Sequence, residues 1–179
     1  EHKFQDDVWG QITLNELERD VIDTPEFQRL FRTSQLGFVD LVYQTANHTR
    51  GAHSIGACHV AATLIDRLME NAARVGGSPP YAPIRISRAE RILIRLGALL
   101  HDISHVPLSH DIERKTHKVF YTVDGRELQL KLRSHYGHYD KHDDYQHNPL
   151  LYMLLCDHDV SVLARVLRRY SRHFHAILR

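Results

Sequence analysis

Apolar positions recur at helical spacing in two segments that lie on either side of a short loop. The first segment, "HSIGACHVAATLIDRLMENAARV", begins at His53, and its apolar residues recur every three or four positions. Residues 76–83, "GGSPPYAP", have the glycine and proline content of a loop. The second segment follows a capping box from Ser87 to Glu90 and contains "RILIRLGALLHDI". We therefore predict two long helices, of which the second is mostly buried and ends near His101.

The residues before these helices predict a hairpin and a shorter helix. The stretch "FQDDVWGQITLN" alternates around Gly10, which is typical of two short strands joined by a turn. Thr24 can serve as an N-cap, and Pro25 suits the first position of a helix. Because apolar residues follow at helical spacing, we expect that helix to continue to about Gly37.

The later part of the chain predicts a second hairpin and two further helices. The run "VFYTVDGRELQLKL" is strand-like on both sides of Asp124 and Gly125, which indicates a hairpin over residues 118–132. Asn148 can cap "LLYMLLC", and Asp159 can cap a last helix through "VSVLARVLRRYSRHFHAIL". The whole pattern predicts a mainly α fold with small β-hairpin excursions.

Composition narrows the class of protein. The 179 residues are 42% hydrophobic and 25% charged, which suits one domain with a core. The net charge of +1 provides no strong field for nucleic acid or a membrane, and no apolar run approaches the roughly 18 residues of a membrane span. Cys58 and Cys156 lie in apolar segments, so we expect reduced thiols in an intracellular, cytoplasmic protein. Because the chain begins without Met and ends inside a helical pattern, we expect residues 1–179 to be the N-terminal part of a longer protein.

The stretch "HDISHVPLSH" places three histidines and an aspartate directly after the buried helix. Adjacent residues on a helix point about 100° apart, so His101 and Asp102 can share an ion only where the helix ends. Mixed imidazole and carboxylate ligands favour Mn, Fe, Co or Zn, with Mg as an alternative. His53 becomes a third ligand if the two long helices pack side by side. A lone His-Asp pair usually forms only a surface hydrogen bond, but the buried helix and the further histidines favour a metal site.

Three blocks of the sequence resemble the HD-domain phosphohydrolases, specifically the deoxynucleoside triphosphate triphosphohydrolase branch. "HDISHVPLSH" is similar to the signature H-D-x-G-H-x-P-F-S-H, and "ANHTRGAHSIGACHVA" is similar to S-H-x-R-x-E-H-S-L-G. "FQDDVWGQITLNELERDVIDTPEFQRLFRTSQLG" resembles the opening of that branch. The blocks cover residues 4–113 in the order of the family. The resemblance implies that residues 1–179 form an HD-domain helical bundle that hydrolyses dNTPs to a deoxynucleoside and triphosphate.

The resemblance also implies a divalent metal ion. Three positions match family metal ligands: His53, His101 and Asp102. The fourth family ligand is an aspartate on a later helix. We expect it beyond Arg179, with Asp157 and Asp159 as the alternatives within this sequence.

Other positions match residues that contact the substrate in this family. Arg50 matches a phosphate-binding arginine, and Gln35 and Leu36 match residues that line the deoxyribose and the base. The positions that match catalytic groups beside the phosphates are His105, His110, Glu113 and His142. We prefer His110 as the proton donor to the leaving 5′-oxygen, because imidazole titrates near neutral pH.

The sequence departs from the family pattern in ways that keep other functions open. Gly51 and Ala52 replace a bulky residue and a glutamate, and Ser104 replaces a glycine. The lost carboxylate would orient a ligand histidine, so a catalytically impaired nucleotide-binding subunit is one alternative. An HD-type nuclease acting on single-stranded nucleic acid is another, because arginines and aromatic residues share the last predicted helix. A solvated basic face is the preferred interpretation of that helix.

Assembly and regulation are also suggested by the resemblance. Family members usually assemble, so we expect a homo-oligomer or a subunit of a larger complex. Some relatives bind regulatory nucleotides through the I-D-T-P-x-F-Q-R segment, where Asp23 and Gln28 match. Phe31 stands where those relatives use a basic residue, and we do not predict such regulation.

Overall fold

The computed structural model describes residues 2–75, 85–105, 154–155 and 157–177. The described residues form a two-stranded sheet and a set of helices, which confirms the mainly α prediction. The strands are β1 (His2–Asp6) and β2 (Gly10–Leu14). The helices are α1 (Glu16–Ile22), α2 (Pro25–Gln28), α3 (Arg50–Val75), α4 (Arg88–Leu100) and α5 (Val162–Ile177), with short 3-10 helices at Arg29–Arg32 and Val39–Leu41.

The predicted loop at 76–83 and hairpin at 118–132 lie outside the described residues. Only 154–155 of the helix predicted from Asn148 are described, and both are helical.

The predicted N-terminal hairpin is present. Strands β1 and β2 pair antiparallel with Phe4 opposite Ile12. The turn is closed by the Asp6 carboxylate, which accepts hydrogen bonds from the backbone N–H groups of Val8 at 2.8 Å and Trp9 at 2.9 Å. Gly10 follows with a φ of 68°, a left-handed conformation that glycine adopts without strain. The alternation places Ile12 in the core.

The segment after β2 contains a helix that the sequence analysis missed. Helix α1 begins with a capping box, in which the side chain of Asn15 accepts from the Glu18 N–H and Glu18 accepts from the Asn15 N–H. The N-x-x-E spacing is a recognised signal for a helix start. Thr24 caps α2 as predicted, but the prediction that this helix continues to Gly37 was wrong. The chain becomes extended at Thr33, because it must form a β-bridge across to the start of α3.

Helices α3 and α4 pack side by side, as the sequence analysis required for a shared site. Helix α3 begins at Arg50, three residues before the predicted start, because the Thr49 hydroxyl accepts a hydrogen bond from the Ala52 N–H at 3.2 Å. The Ser87 capping box starts α4 as predicted, but the prediction that this helix is mostly buried was wrong, because only three of its 13 residues are buried. Asp66 on α3 and Arg91 on α4 form a salt bridge that joins the helices partway along.

The core lies where the hairpin, α1, α2 and the facing sides of α3, α4 and α5 meet. Its fully buried side chains include Ile12, Val21, Phe27, Leu30, Ile55, Leu99, Ile103 and Leu163. Cys58 is buried among them as a free thiol, as predicted, and burial raises the pKa of this thiol to about 12. Cys156 lies outside the described residues.

Helix α5 is anchored to α2 at its first turn. Ser161 rather than Asp159 caps it, since the Ser161 hydroxyl accepts a hydrogen bond from the Ala164 N–H at 3.1 Å. The prediction for Asp159 was therefore wrong. Glu26 on α2 accepts from the Val162 N–H at 2.6 Å, which places a carboxylate at the positive end of the α5 dipole. No helix in the described part of the chain has the length and apolar character needed to span a bilayer.

Candidate metal centre

The two histidines that the sequence analysis selected from different helices lie next to each other. His53 stands in the first turn of α3, and His101 is the residue that ends α4. Their Nε2 atoms are 3.2 Å apart, and both side chains are about 40% exposed. Two imidazole nitrogens bound to one ion at about 2.1 Å would lie roughly 3.0–3.4 Å apart, so the observed spacing fits a shared ion.

The hydrogen bond on the other side of the His101 ring determines its tautomer. Nδ1 of His101 lies 2.8 Å from the carbonyl oxygen of Ala98, one turn earlier in α4. A carbonyl can only accept a hydrogen bond, so Nδ1 carries the proton and Nε2 of the neutral ring has a lone pair. A backbone carbonyl in this position is a usual orienting partner for a ligand histidine.

Asp102 completes a group of three possible ligands. Its Oδ1 lies 3.4 Å from Nε2 of His101, and its Oδ2 lies 4.0 Å from Nε2 of His53. A ligand atom from each of the three side chains lies within 4.8 Å of the others. Among the described residues, His53, His101 and Asp102 are the cluster of possible metal-ligating side chains that is close enough to hold one ion. Two imidazoles and a carboxylate fit a divalent transition metal.

The environment keeps Asp102 ionised although its side chain is buried. Burial pushes the pKa of Asp102 upward, but the charges of His101, Arg50 and His105 and a hydrogen bond from the side chain of Gln35 together bring it below its ordinary value. The Arg50 guanidinium donates to Oδ2 at 2.7 Å. The carboxylate is thus in the form that a metal ion requires.

The pKa of His53 is lowered as well. Burial is the main cause, the Asp102 charge partly offsets it, and His101, His48 and Arg50 lower the pKa further. A lowered pKa favours neutral imidazole near pH 7, which is the form that binds metal.

Arg50, predicted to bind phosphate, lies deep in the site. Its guanidinium is only 3% exposed and forms a salt bridge with Asp102. Gln35 approaches from the segment before α3, held by a hydrogen bond from its backbone N–H to the carbonyl of His48. Leu36 follows it with a side chain that is 45% exposed.

His105 lies beside this group. Its Nε2 is 3.4 Å from Oδ1 of Asp102, on the turn that follows α4. The other residues predicted beside the phosphates, namely His110, Glu113 and His142, lie outside the described residues. The roles of all these side chains in substrate binding remain predictions.

The two aspartates considered as a fourth ligand are elsewhere. Asp157 uses Oδ1 to accept hydrogen bonds from the backbone N–H groups of Asp159 and Val160, which shapes the turn before α5. Asp159 is exposed on that turn. Neither joins the group of His53, His101 and Asp102 in the described structure.

Arg29 has a role in the site that was not predicted. Its guanidinium donates to the backbone carbonyl of His105 at 2.6 Å and to the carbonyl of Ile103. These carbonyls belong to the turn that contains Asp102. Arg29 stands 74 and 76 residues away from its two partners, so no local signal in the sequence could indicate the contact.

Comparison with known proteins agrees with this architecture. Residues 50–165 match the HD domain family, and the chain belongs to that family. The match includes the ends of α3 and α4 where the three possible ligands meet.

Particular relatives indicate a branch of the family. The chain is 36% identical to the uncharacterized protein MJ1154 of Methanocaldococcus jannaschii over 119 residues, which is 65% of this chain and 22% of that protein. It is 36% identical to deoxynucleoside triphosphate triphosphohydrolase SAMHD1 of Danio rerio and 34% identical to that of Homo sapiens, each over 107 residues, or 60% of this chain and 16% of theirs. The resemblance to the deoxynucleoside triphosphate triphosphohydrolase branch is therefore confirmed, although the chain spans less than a quarter of the length of these relatives.

Proposed function

We propose that the protein is a metal-dependent phosphohydrolase that converts dNTPs to a deoxynucleoside and triphosphate. The observation that carries the proposal is the convergence of His53, His101 and Asp102 at the meeting ends of α3 and α4. The names of the SAMHD1 relatives support the substrate class.

In this proposal the three side chains hold a divalent ion, which is Mn, Fe, Co or Zn, with Mg as the alternative. When bound, the ion lowers the pKa of water and polarises the phosphate under attack. The hydrogen bond from His101 Nδ1 to Ala98 keeps the imidazole turned toward the ion, and the low pKa of Asp102 keeps its ligand oxygen unprotonated.

Arg50 has two proposed roles in the same reaction. Because it is buried against Asp102, it first orients that carboxylate. Its guanidinium fork also suits phosphate oxygens and would offset the charge that grows on them in the transition state. Gln35 and Leu36 would then lie along the deoxyribose and the base.

The proton for the leaving 5′-oxygen is assigned to a histidine. His110 remains our preferred donor, and His105 would lie beside the phosphates. Nε2 of His105 lies 3.4 Å from Oδ1 of Asp102, so the carboxylate can hold the ring in place beside the site. Glu113 and His142 are proposed to assist these histidines.

Hydrolysis of nucleotides is preferred over cleavage of single-stranded nucleic acid because three polar side chains of α5 have intramolecular partners. Tyr170 donates to Asp20 at 2.7 Å, and Arg169 lies 3.5 Å from the same carboxylate. Arg165 donates to the carbonyl of His158 at 2.9 Å. These contacts favour a helix whose polar side chains bind neighbouring groups of the chain over a helix that forms a basic groove for nucleic acid.

We also propose that the protein acts inside the cell as a homo-oligomer or a subunit of a larger complex. A run of exposed apolar side chains supports assembly: Leu36, Phe38, Val39, Leu41, Val42 and Tyr43. Exposed apolar patches of this kind are typical of protein–protein contact sites. The buried thiol of Cys58 suits a reducing compartment.

Product analysis tests the proposal. The purified protein is incubated with Mn²⁺ and each dNTP, or with a single-stranded oligonucleotide, and the products are separated by ion-exchange chromatography. Triphosphate and a deoxynucleoside are the expected products. Nucleotides released from the oligonucleotide would favour the nuclease, and bound dNTP without any product would favour the nucleotide-binding subunit.

Matched variants connect the activity to the site. His101→Gln and Asp102→Asn should abolish both metal binding and hydrolysis. Asp7→Asn, which makes the same change on an exposed carboxylate in the hairpin turn, should retain both. Full activity in Asp102→Asn would refute the metal assignment.

A further inference from the structure

We infer that Arg29 is a positioning residue of the metal centre, which acts through the backbone of the turn that contains Asp102 and His105. The inference rests on the metal site of the proposed function. It concerns a side chain whose hydrogen bonds, among the described residues, go to backbone carbonyls of that turn.

The backbone carbonyls of the turn after α4 are the groups that Arg29 binds. After α4 ends, the Ile103 N–H donates to the carbonyl of Leu100 at 3.0 Å, and the His105 N–H donates to the carbonyl of Asp102 at 3.1 Å. Two further carbonyls of this turn, those of Ile103 and His105, accept hydrogen bonds from the Arg29 guanidinium. A helix end leaves its last carbonyls without helical partners, and a cation is favoured there. Arg29 thus supplies donors that the helix cannot.

The fork geometry of the guanidinium makes this contact restrictive. Two N–H groups of one planar guanidinium bind two carbonyls that are two residues apart. This contact fixes both the direction of the turn and its distance from Arg29. Ile103 between Asp102 and Ser104 is fully buried, so the turn is also packed against the core on one side. Arg29 thus holds the backbone that follows Asp102, at Ile103 and His105, while Arg50 holds the Asp102 carboxylate.

The position of His105 depends on the same contact. Its carbonyl accepts from Arg29 at 2.6 Å, and its Nε2 lies 3.4 Å from Oδ1 of Asp102. Loss of the Arg29 contact would free the end of the turn where His105 sits. Both side chains that the turn presents to the site would then sample other positions.

Metal binding by the folded protein is the readout that separates positioning from stability. Mn²⁺ affinity is measured by calorimetry, and the visible absorption of the Co²⁺ form reports the geometry of the ligands. Arg29→Met removes both donors and should weaken Mn²⁺ binding by about 10- to 100-fold, the range typical of residues that orient metal ligands. The Co²⁺ spectrum should change as well. A purely structural role would lower the melting temperature and leave affinity and spectrum of the folded protein unchanged.

Arg32 provides a matched control. It belongs to the same 3-10 helix and is exposed, so Arg32→Met makes the same chemical change without touching the turn. It should bind Mn²⁺ like the parent protein. If Arg29→Met does not fold by circular dichroism, Arg29→Lys decides instead, because an ammonium group cannot reproduce the fork, and weaker binding with an altered Co²⁺ spectrum is expected.

The possible results are distinguishable. Parent-like affinity and an unchanged Co²⁺ spectrum in the Arg29 variant that folds would overturn the inference and leave the metal centre intact. Failure of the parent protein to bind Mn²⁺ or Co²⁺ would overturn the proposed function and this inference together. Weakened binding in the Arg29 variant alone supports both.

Discussion

Replacing Gly51 with alanine tests how closely the first turn of α3 packs against the segment before it. A Cβ atom at Gly51 would lie 2.7 Å from Cδ1 and 2.9 Å from Cε1 of Phe31, closer than real Cβ atoms approach such neighbours. The Phe31 ring is itself packed against Phe4 and Phe27, with ring centroids 6.2 Å and 5.9 Å away. The ring therefore cannot move aside without disturbing two further aromatic side chains.

Two opposing effects set the magnitude. Forcing an extra carbon into a packed site costs about 1–3 kcal/mol. Replacing glycine by alanine inside a helix gains about 0.5–1 kcal/mol. The expected net result for Gly51→Ala is a loss of about 1 kcal/mol in the free energy of unfolding, taking the middle of both ranges.

Gly97 in α4 provides the matched control, because a Cβ atom there would meet nothing within 4 Å. Gly97→Ala should therefore stabilise the protein by about 0.5–1 kcal/mol. Urea unfolding followed by circular dichroism measures both variants, with equal slopes required for the comparison. In the double variant Gly51→Ala with Phe31→Leu, the combined loss should be smaller than the sum of the two single losses. A Gly51→Ala protein as stable as Gly97→Ala would refute the packing argument.

Two further predictions concern carboxylates far from the metal centre. Glu18 is buried and accepts hydrogen bonds from Arg95 at 2.5 and 2.7 Å. Glu18→Gln should therefore lower the free energy of unfolding in urea by about 3–5 kcal/mol, because the guanidinium loses its counter-charge. Glu70→Gln, on the exposed face of α3, should cost less than about 0.5 kcal/mol, and equal losses in the two variants would contradict this prediction. A hydrogen bond from Arg19 lowers the pKa of Asp20, so the stabilisation from this carboxylate is present above its unfolded pKa of 3.8 and is lost as the pH falls through the folded value. The difference in melting temperature between the parent protein and Asp20→Asn should accordingly shrink below about pH 4, and a difference that stays constant down to pH 2 would refute this assignment.

The sequence predicted the parts of the fold that depend on local signals. The capping box at Ser87 and the N-cap at Thr24 were confirmed, because each is a contact between residues three apart. The same kind of signal is present at Asn15, where no helix was predicted. The end of α2 was predicted wrongly, since the chain turns there to pair Ser34 with Thr49, and apolar spacing does not contain that pairing.

The candidate site was predictable in part for a similar reason. His101 and Asp102 are adjacent in sequence, and their position at a helix end followed from the pattern. His53 required the further assumption that two helices pack side by side, which the structure confirms. The salt bridge between Arg50 and Asp102 joins residues 52 positions apart, so periodicity could not indicate it. The resemblance implies a phosphate-binding role for Arg50 but does not indicate that its side chain is buried.

The two oxygens of Asp102 have different partners, and this division bears on how the site could work. Oδ2 accepts from Arg50 at 2.7 Å, whereas Oδ1 lies 3.4 Å from both His101 and His105. Oδ1 is therefore the oxygen better placed to serve as a ligand, since a cation already faces the other. The same cation helps to keep the carboxylate ionised, so Arg50 favours the ligand form of Asp102 while leaving one oxygen for the ion.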